Sequence, residues 1–414
     1  MISSRRIVPL LGLAFFVGFL YTISSISNQW RRVPQTVGLG EMVNSPTPTP
    51  SGRFNTTKTD DYVTKEPYAP PPQYLPGIPK PDGSPYSKTL VVPQAGDEDT
   101  TWMEFELPDW QTAVYVVDDP SAPLHPPKNK GHEVMVYLSY IIEHYHELPD
   151  IIAFMHSHQF AWHNDELFFD GNAAEMLRRL NPARVIRQGY MNLRCTWAPG
   201  CPDWLHPGAM EEDETKQEET MLAKSWGEIF PDSPIPDVLA QPCCAQFAVS
   251  GDRIRSIPKA RFVYYRDWIL RTELSDYISG RIWEYLWHVV FTGENVVCAK
   301  EHVCYCDGYG MCFGGEDEYD AYRGLGFQRN DLEEELTRWR DHAETIEIAR
   351  LRGTLSQNSK LSVPEPGKDI ELEEKIVEKE RLLEELRANA TLRGEDPRAR
   401  AKEAGRPWKE GDGF

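Results

Sequence analysis

The sequence predicts an α/β domain, a mixed, mainly parallel sheet with helices on both faces, placed between an N-terminal transmembrane helix and a C-terminal helical appendage. Three observations lead there. From Thr89, short apolar runs alternate with segments of helical period, the pattern of strands covered by helices. Residues Ile7 to Ile26 carry no charge and are mostly apolar. From Asp331 onward, charged residues dominate, with leucines at helical spacing.

In chain order, Ile7–Ile26 is long enough, at about 1.5 Å per residue, to cross a hydrocarbon core of roughly 30 Å. Ser27-Asn-Gln-Trp-Arg-Arg32 follows in place of a small-residue cleavage site, so residues 1–32 read as an uncleaved signal anchor. Arginines flank both ends, Arg5 and Arg6 before and Arg31 and Arg32 after, and charge alone does not set orientation. Residues 33–87, rich in Pro, Ser and Thr, read as an extended stem. The globular domain is expected over 88–314, the helical appendage over 315–393 and a disordered tail over 394–414.

Within the domain, Leu90–Val92 and Ala113–Val117 read as strands, and His132–Leu148 as a helix ended by Pro149. Ile151–Met155 is a third strand. A helix follows over Ala173–Leu180, then a strand around Arg184–Gln188 and another over Cys243–Ser250. Phe262–Leu270 and Arg281–His288 read as helices, the latter placing Glu284 and His288 four apart on one face. In the appendage, Leu332, Leu336 and Trp339 form one stripe and Ile370–Leu386 another, a short coiled coil through which the chain could form an oligomer.

All eight cysteines, Cys195 to Cys312, lie in the domain, an even number that suggests a disulfide framework, though eight permit 105 pairings. The competing reading is a zinc site on Cys304, Cys306 and Cys312 with His302, but C-x-C-x5-C is not a standard zinc spacing. The acceptor tripeptides Asn55-Thr-Thr57 and Asn389-Ala-Thr391 agree with a glycoprotein whose body lies in the Golgi or ER lumen or outside the cell. A net charge of −20 argues against nucleic acid as a partner.

The candidate site is the stretch after the third strand, where His156, His158 and His163 are followed by Asp165 and Glu166. In open α/β sheets, ligands bind outside the carboxyl ends of strands. The first strand leads into Asp97 and Asp99, and the second into Asp118 and Asp119. The plain alternative is local: a histidine that packs, or an aspartate that closes a turn, as Asp118-Asp119 before Pro120 would.

Three blocks together resemble a large family of mostly fungal membrane-anchored proteins, domain-of-unknown-function family 3431. They are Tyr137–Pro149 running into Phe154-Met-His-Ser-His158 and Trp162-His163; Cys243–Ser250; and Trp283–His288 leading to Cys304–Cys312. The order of anchor, stem and α/β domain is also similar to that of type II glycosyltransferases of the GT-A kind. That resemblance implies a nucleotide-sugar donor lying over the first strands, and a divalent metal held by an Asp-x-Asp motif. No such motif follows the third strand; His156-Ser-His158 stands in its place, which suits Mn²⁺ or Zn²⁺ better than Mg²⁺.

The expected function is transfer of a sugar from a nucleotide donor to a glycan or glycoprotein acceptor. His156, His158 and His163 would hold metal or diphosphate, and Asp97, Asp99, Asp118 and Asp119 would contact the donor. Asp165, Glu166 or Glu284 would serve as the base. Two other classes fit the same residues: a metal-dependent hydrolase using the histidines, and a non-catalytic lumenal scaffold.

Overall fold

The computed structural model describes residues 74–353 and 364–414. The expected anchor, the stem up to residue 73 and Asn55 lie outside the described residues. Among the described residues no helix is long and apolar enough to cross a membrane. The chain divides into two units, one of residues 74–77, 86–178 and 185–298, the other of residues 78–85, 179–184, 299–353 and 364–414.

The first unit is built on a five-stranded mixed sheet of order β2-β1-β3-β5-β4. β1 (Lys88–Gln94) is followed by α1 (Trp102–Glu106), β2 (Gln111–Val116), α2 (Val134–His144) and β3 (Ile151–Phe154). β1 pairs in parallel with β2 on one side, Leu90 opposite Thr112, and with β3 on the other, Leu90 opposite Ala153. β5 (Phe247–Ser250) pairs antiparallel with β3, and β4 (Tyr190–Asn192) antiparallel with β5. The sheet is therefore mixed as expected, but its pairings divide evenly and it is not mainly parallel.

Between β3 and β4 lie α3 (Glu166–Phe169), α4 (Ala173–Arg179) and α5 (Pro182–Gln188). α5 replaces the strand expected at Arg184–Gln188. Asn181 caps this helix, its Oδ1 accepting from Ala183 N at 3.0 Å, and Pro182 supplies the fixed φ suited to a first helical turn. That cap outweighs the β-like run of Val185 and Ile186.

After β4 come α6 (Glu219–Ile229), then α7 (Gly251–Arg255) and α8 (Lys259–Arg271) beyond β5, and the pair α9 (Asp276–Glu284) and α10 (Trp287–Thr292). The single helix expected over Arg281–His288 is broken at Tyr285–Leu286, so Glu284 and His288 do not share a helix face. Cys243–Ala245 likewise leave the expected strand. Cys243 and Cys244 are joined to each other, and φ is 87° at Cys244 and 48° at Ala245, left-handed backbone that no ladder accepts.

Aromatic side chains fill the space between the sheet and α2, α9 and α10. Tyr137, Phe154, Phe247, Trp283, Trp287 and Phe291 are fully buried, and the Trp287 and Phe291 rings stack 6.0 Å apart. Burial of each such ring contributes about 1.5–3 kcal/mol, and favourable ring pairs about 0.5–1.5 kcal/mol more. His288 lies in this core with its Nε2 2.9 Å from Asn295 O. Burial lowers its pKa to about 4, with the Asn295 hydrogen bond opposing the shift. It is a structural histidine.

The second unit contains α11 (Glu301–Tyr309), α12 (Glu316–Leu351), α13 (Lys368–Gly394) and α14 (Pro397–Glu403). α12 and α13 pack side by side through Leu332, Leu336, Leu372 and Ile376. They run antiparallel: Trp339 bonds to Glu365, and Gln328, earlier on α12, to Lys379, later on α13. Asn389 lies exposed on α13. The tail expected to be disordered carries α14, because Asp396 caps it through Arg398 N at 2.9 Å and Ala401 buries its methyl group.

All eight cysteines are disulfide-bonded, with Cys201–Cys298, Cys243–Cys244 and Cys306–Cys312 among the bonds. The disulfide expectation holds over the zinc alternative.

Candidate functional site at the carboxyl ends of β1 and β3

β1 is the point at which the sheet changes direction: the chain goes from β1 to a neighbour on one side, then returns to place β3 on the other. The loops leaving such a pair of strands diverge and open a crevice, the usual ligand site of an open α/β sheet. Here the two loops are the Ala95–Thr101 segment and the histidine stretch. They are tied together by Trp102 Nε1 donating to Ser157 O at 2.9 Å, and by Glu98 Oε1, which lies 3.7 Å from His158 Nε2.

The histidine loop is shaped from within. Gln246, leading into β5, accepts from His156 N through its Oε1 and donates through Nε2 to His163 O and Asn164 Oδ1 at 2.9 and 3.0 Å. Asn164 donates to Gly171 O at 2.7 Å. Gly171 has φ +67°, and a Cβ there would meet Ala161 O at 2.7 Å, so glycine is needed where the loop closes on itself.

The three imidazoles form a row with a glutamate at each end. The His156 ring stands edge-on to His163 with centroids 4.4 Å apart, and His158 lies 6.4 Å from His163. Glu133, at the start of α2, reaches to 3.9 Å of His156 Nε2. His156 and His163 are buried, whereas the side chain of His158 is 39 % exposed.

The expected site residues divide sharply. Asp165 is fully buried and its Oδ2 accepts from Cys195 N at 3.0 Å, which holds a loop and leaves an acceptor no approach. Glu166 is the first residue of α3. Asp99 and Asp119 are exposed and close their own turns: each Oδ1 accepts from the backbone and hydroxyl two residues ahead, Thr101 and Ser121. Those hydrogen bonds hold both carboxyls below the usual carboxylate range. Asp118 accepts from Gly96 N at 2.9 Å and so joins the loops after β1 and β2, and Asp97 is exposed beside it in sequence. None of the four joins the histidine row.

Glu284 does approach it. Its Oε1 accepts from Cys244 N at 2.6 Å, and it shares a recess of about 30 Å³ with Glu133, His156, Cys244, Tyr277 and Arg281. That space suits a water or one hydroxyl group, not a sugar ring. Arg281 is held there by buried Glu218 through bonds of 2.6 and 3.0 Å. Burial opposes its charge, but the Glu218 carboxylate outweighs burial and pushes its pKa up. A larger groove of about 530 Å³ is lined by residues of α6, α8 and the Thr272–Leu274 turn. It has the size for a ligand but takes no residue from the strand-end loops.

Among the described residues, the sets of three that bring ligand atoms within 4.8 Å of one another are Cys243, Cys244 and Glu284, and Cys306, Cys312 and Glu403. The histidine row is not one of them. Glu98, Glu133 and Arg281 are the site residues that sequence reasoning missed. Glu98 stands between Asp97 and Asp99, and Arg281 three positions before Glu284 on α9; neither spacing distinguishes a site residue from a solvated one.

The fold defines an α/β domain whose mixed sheet has a switch point at β1. The model of the family described as "Protein of unknown function (DUF3431)" matches residues 90–307, over half of the chain, and the chain belongs to that family. No curated protein and no solved structure matches it.

Proposed function

We propose that the first unit is a glycosyltransferase-like domain of GT-A organisation that moves a sugar from a nucleotide donor to a glycan or glycoprotein. The observation that carries this reading is the switch point at β1, with Glu98 and His158 meeting across it. The donor diphosphate, with Mn²⁺ or Zn²⁺ where a cation is used, lies against Glu98, His158 and Asp97. One acceptor hydroxyl enters the recess, where Glu284 takes its proton and Arg281 offsets the charge that develops. Cystine-rich chemistry supports a lumenal or extracellular body, which residues 7–26 would hold at the membrane.

The test is a thermal shift of the full-length chain in detergent against a panel of nucleotide sugars, with and without Mn²⁺. A donor at 100 times its Kd stabilises the fold by about 2.7 kcal/mol. A shift specific to one nucleotide and lost in Glu98→Gln and His158→Ala is the expected result. No nucleotide-dependent shift, together with one equivalent of tightly bound zinc, overturns it in favour of the hydrolase. Neither result leaves the scaffold.

A further inference from the structure

The second unit holds a cluster that the proposed transferase does not use. At the C-terminal end of α11, Cys306 and Cys312 are disulfide-bonded with Cα atoms 4.1 Å apart. Glu403, the last residue of α14, brings a carboxylate oxygen within 4.8 Å of both sulfurs. Its side chain is only 3 % exposed. It accepts from Gly314 N at 2.8 Å and faces His302 Nδ1 at 3.3 Å. A carboxylate buried in this way is costly unless its charge is matched. Burial raises its pKa, opposed by the Gly314 N–H, by His302 and by the charge of Arg393.

We propose that, once the Cys306–Cys312 bond is reduced, Cys306, Cys312 and Glu403 form a site for a thiophilic divalent cation of the zinc class. A dithiol reductant delivers two electrons and two protons; the S–S bond breaks, and the reductant becomes a disulfide. The two thiols then release their protons to solvent as two sulfur–metal bonds form. Zinc takes thiolate and carboxylate ligands together. His302, set against Glu403 Oε1, orients the carboxylate, as partners of metal ligands commonly do.

The cation takes over the cross-link that the disulfide provides and adds α14 to it. Arg393 is the competitor: it donates to Cys312 O at 2.7 Å, and its charge already acts on Glu403. The other cluster, Cys243, Cys244 and Glu284, is less suited, since its cysteines are adjacent in the chain and share one peptide.

Zinc content after dialysis of the full-length chain in detergent tests the proposal, comparing oxidised and phosphine-reduced protein with Cys306→Ser/Cys312→Ser and Glu403→Gln. Reduced wild type should retain one zinc more than either the oxidised protein or the double-serine variant, and Glu403→Gln should weaken that site at least tenfold. Equal zinc in reduced wild type and double-serine protein overturns the proposal, as does unchanged affinity in Glu403→Gln. Should the variants fail to fold, Co²⁺ added to reduced wild type decides. Thiolate-to-cobalt absorption that disappears when peptide mapping shows Cys306–Cys312 re-formed supports the site; no such absorption sinks it.

Discussion

The histidine stretch has two halves that the sequence does not tell apart. His156 and His163 are buried and tied through their backbone to Gln246, and buried Asp165 accepts from Cys195 N, whereas the side chain of His158 is 39 % exposed beside Glu98. The same residue types end in two settings: His163 and Asp165 are buried in the loop and His156 lines the small recess, while His158 is open to solvent. A cluster of ligating side chains is thus a poor guide to which member meets a ligand, because strand alternation and loop closure decide direction residue by residue.

The contrast can be broken from the inside first. Replacing buried Glu218 by Ala should cost about 3–5 kcal/mol in urea unfolding, because it leaves Arg281 charged and without its main partner. Acid comes next. His288 stays neutral in the fold down to about pH 4 but takes up a proton near pH 6.5 when unfolded. The unfolded state therefore binds more protons between those values. The His288 contribution is complete above about pH 6.5 and lost as pH falls towards 4, by up to about 3 kcal/mol. A His288→Phe variant should flatten that part of the stability profile.

Asp165→Ala should cost about 1–3 kcal/mol by leaving Cys195 N without its acceptor. On the outer half the order reverses. His158→Ala and Glu98→Gln should change stability by less than about 1 kcal/mol, as a solvent-accessible ion pair does, since Gln keeps an oxygen to accept from Ala95 N, yet abolish any nucleotide-dependent rise in melting temperature. If His158→Ala destabilised as much as Asp165→Ala, the division between the halves would fail.

The strands were legible where apolar residues crowd together: Leu90–Val92, Ala113–Val117 and Ile151–Met155 fall within one residue of β1, β2 and β3 or inside them. Misreadings came where a local hydrogen bond or covalent bond overrode periodicity. Asn181 made a helix of a β-like run, the Cys243–Cys244 bond bent a strand away, and a turn at Tyr285 cut one helix into two. In the site, Asp99 and Asp119 carried their own answer. Each precedes Thr or Ser by two positions, as Asp213 precedes Thr215, and in all three the carboxylate is taken by the donors two residues ahead. Antiparallel entry of β5 had no such signal, since pairing direction depends on contacts far apart in the chain.

The Cys201–Cys298 bond encloses a stretch with a sequence separation of 97 residues, and a closed loop of that size restrains the unfolded chain by roughly 4.7 kcal/mol. Inside it lies an exposed acidic stretch around Met210, a residue 93 % exposed, the kind of segment a protease cuts first. A single cut there would leave two pieces that stay covalently joined and migrate together until the sample is reduced. The domain can be nicked at this exposed stretch without coming apart, and gels run without reductant would hide that the nick had occurred.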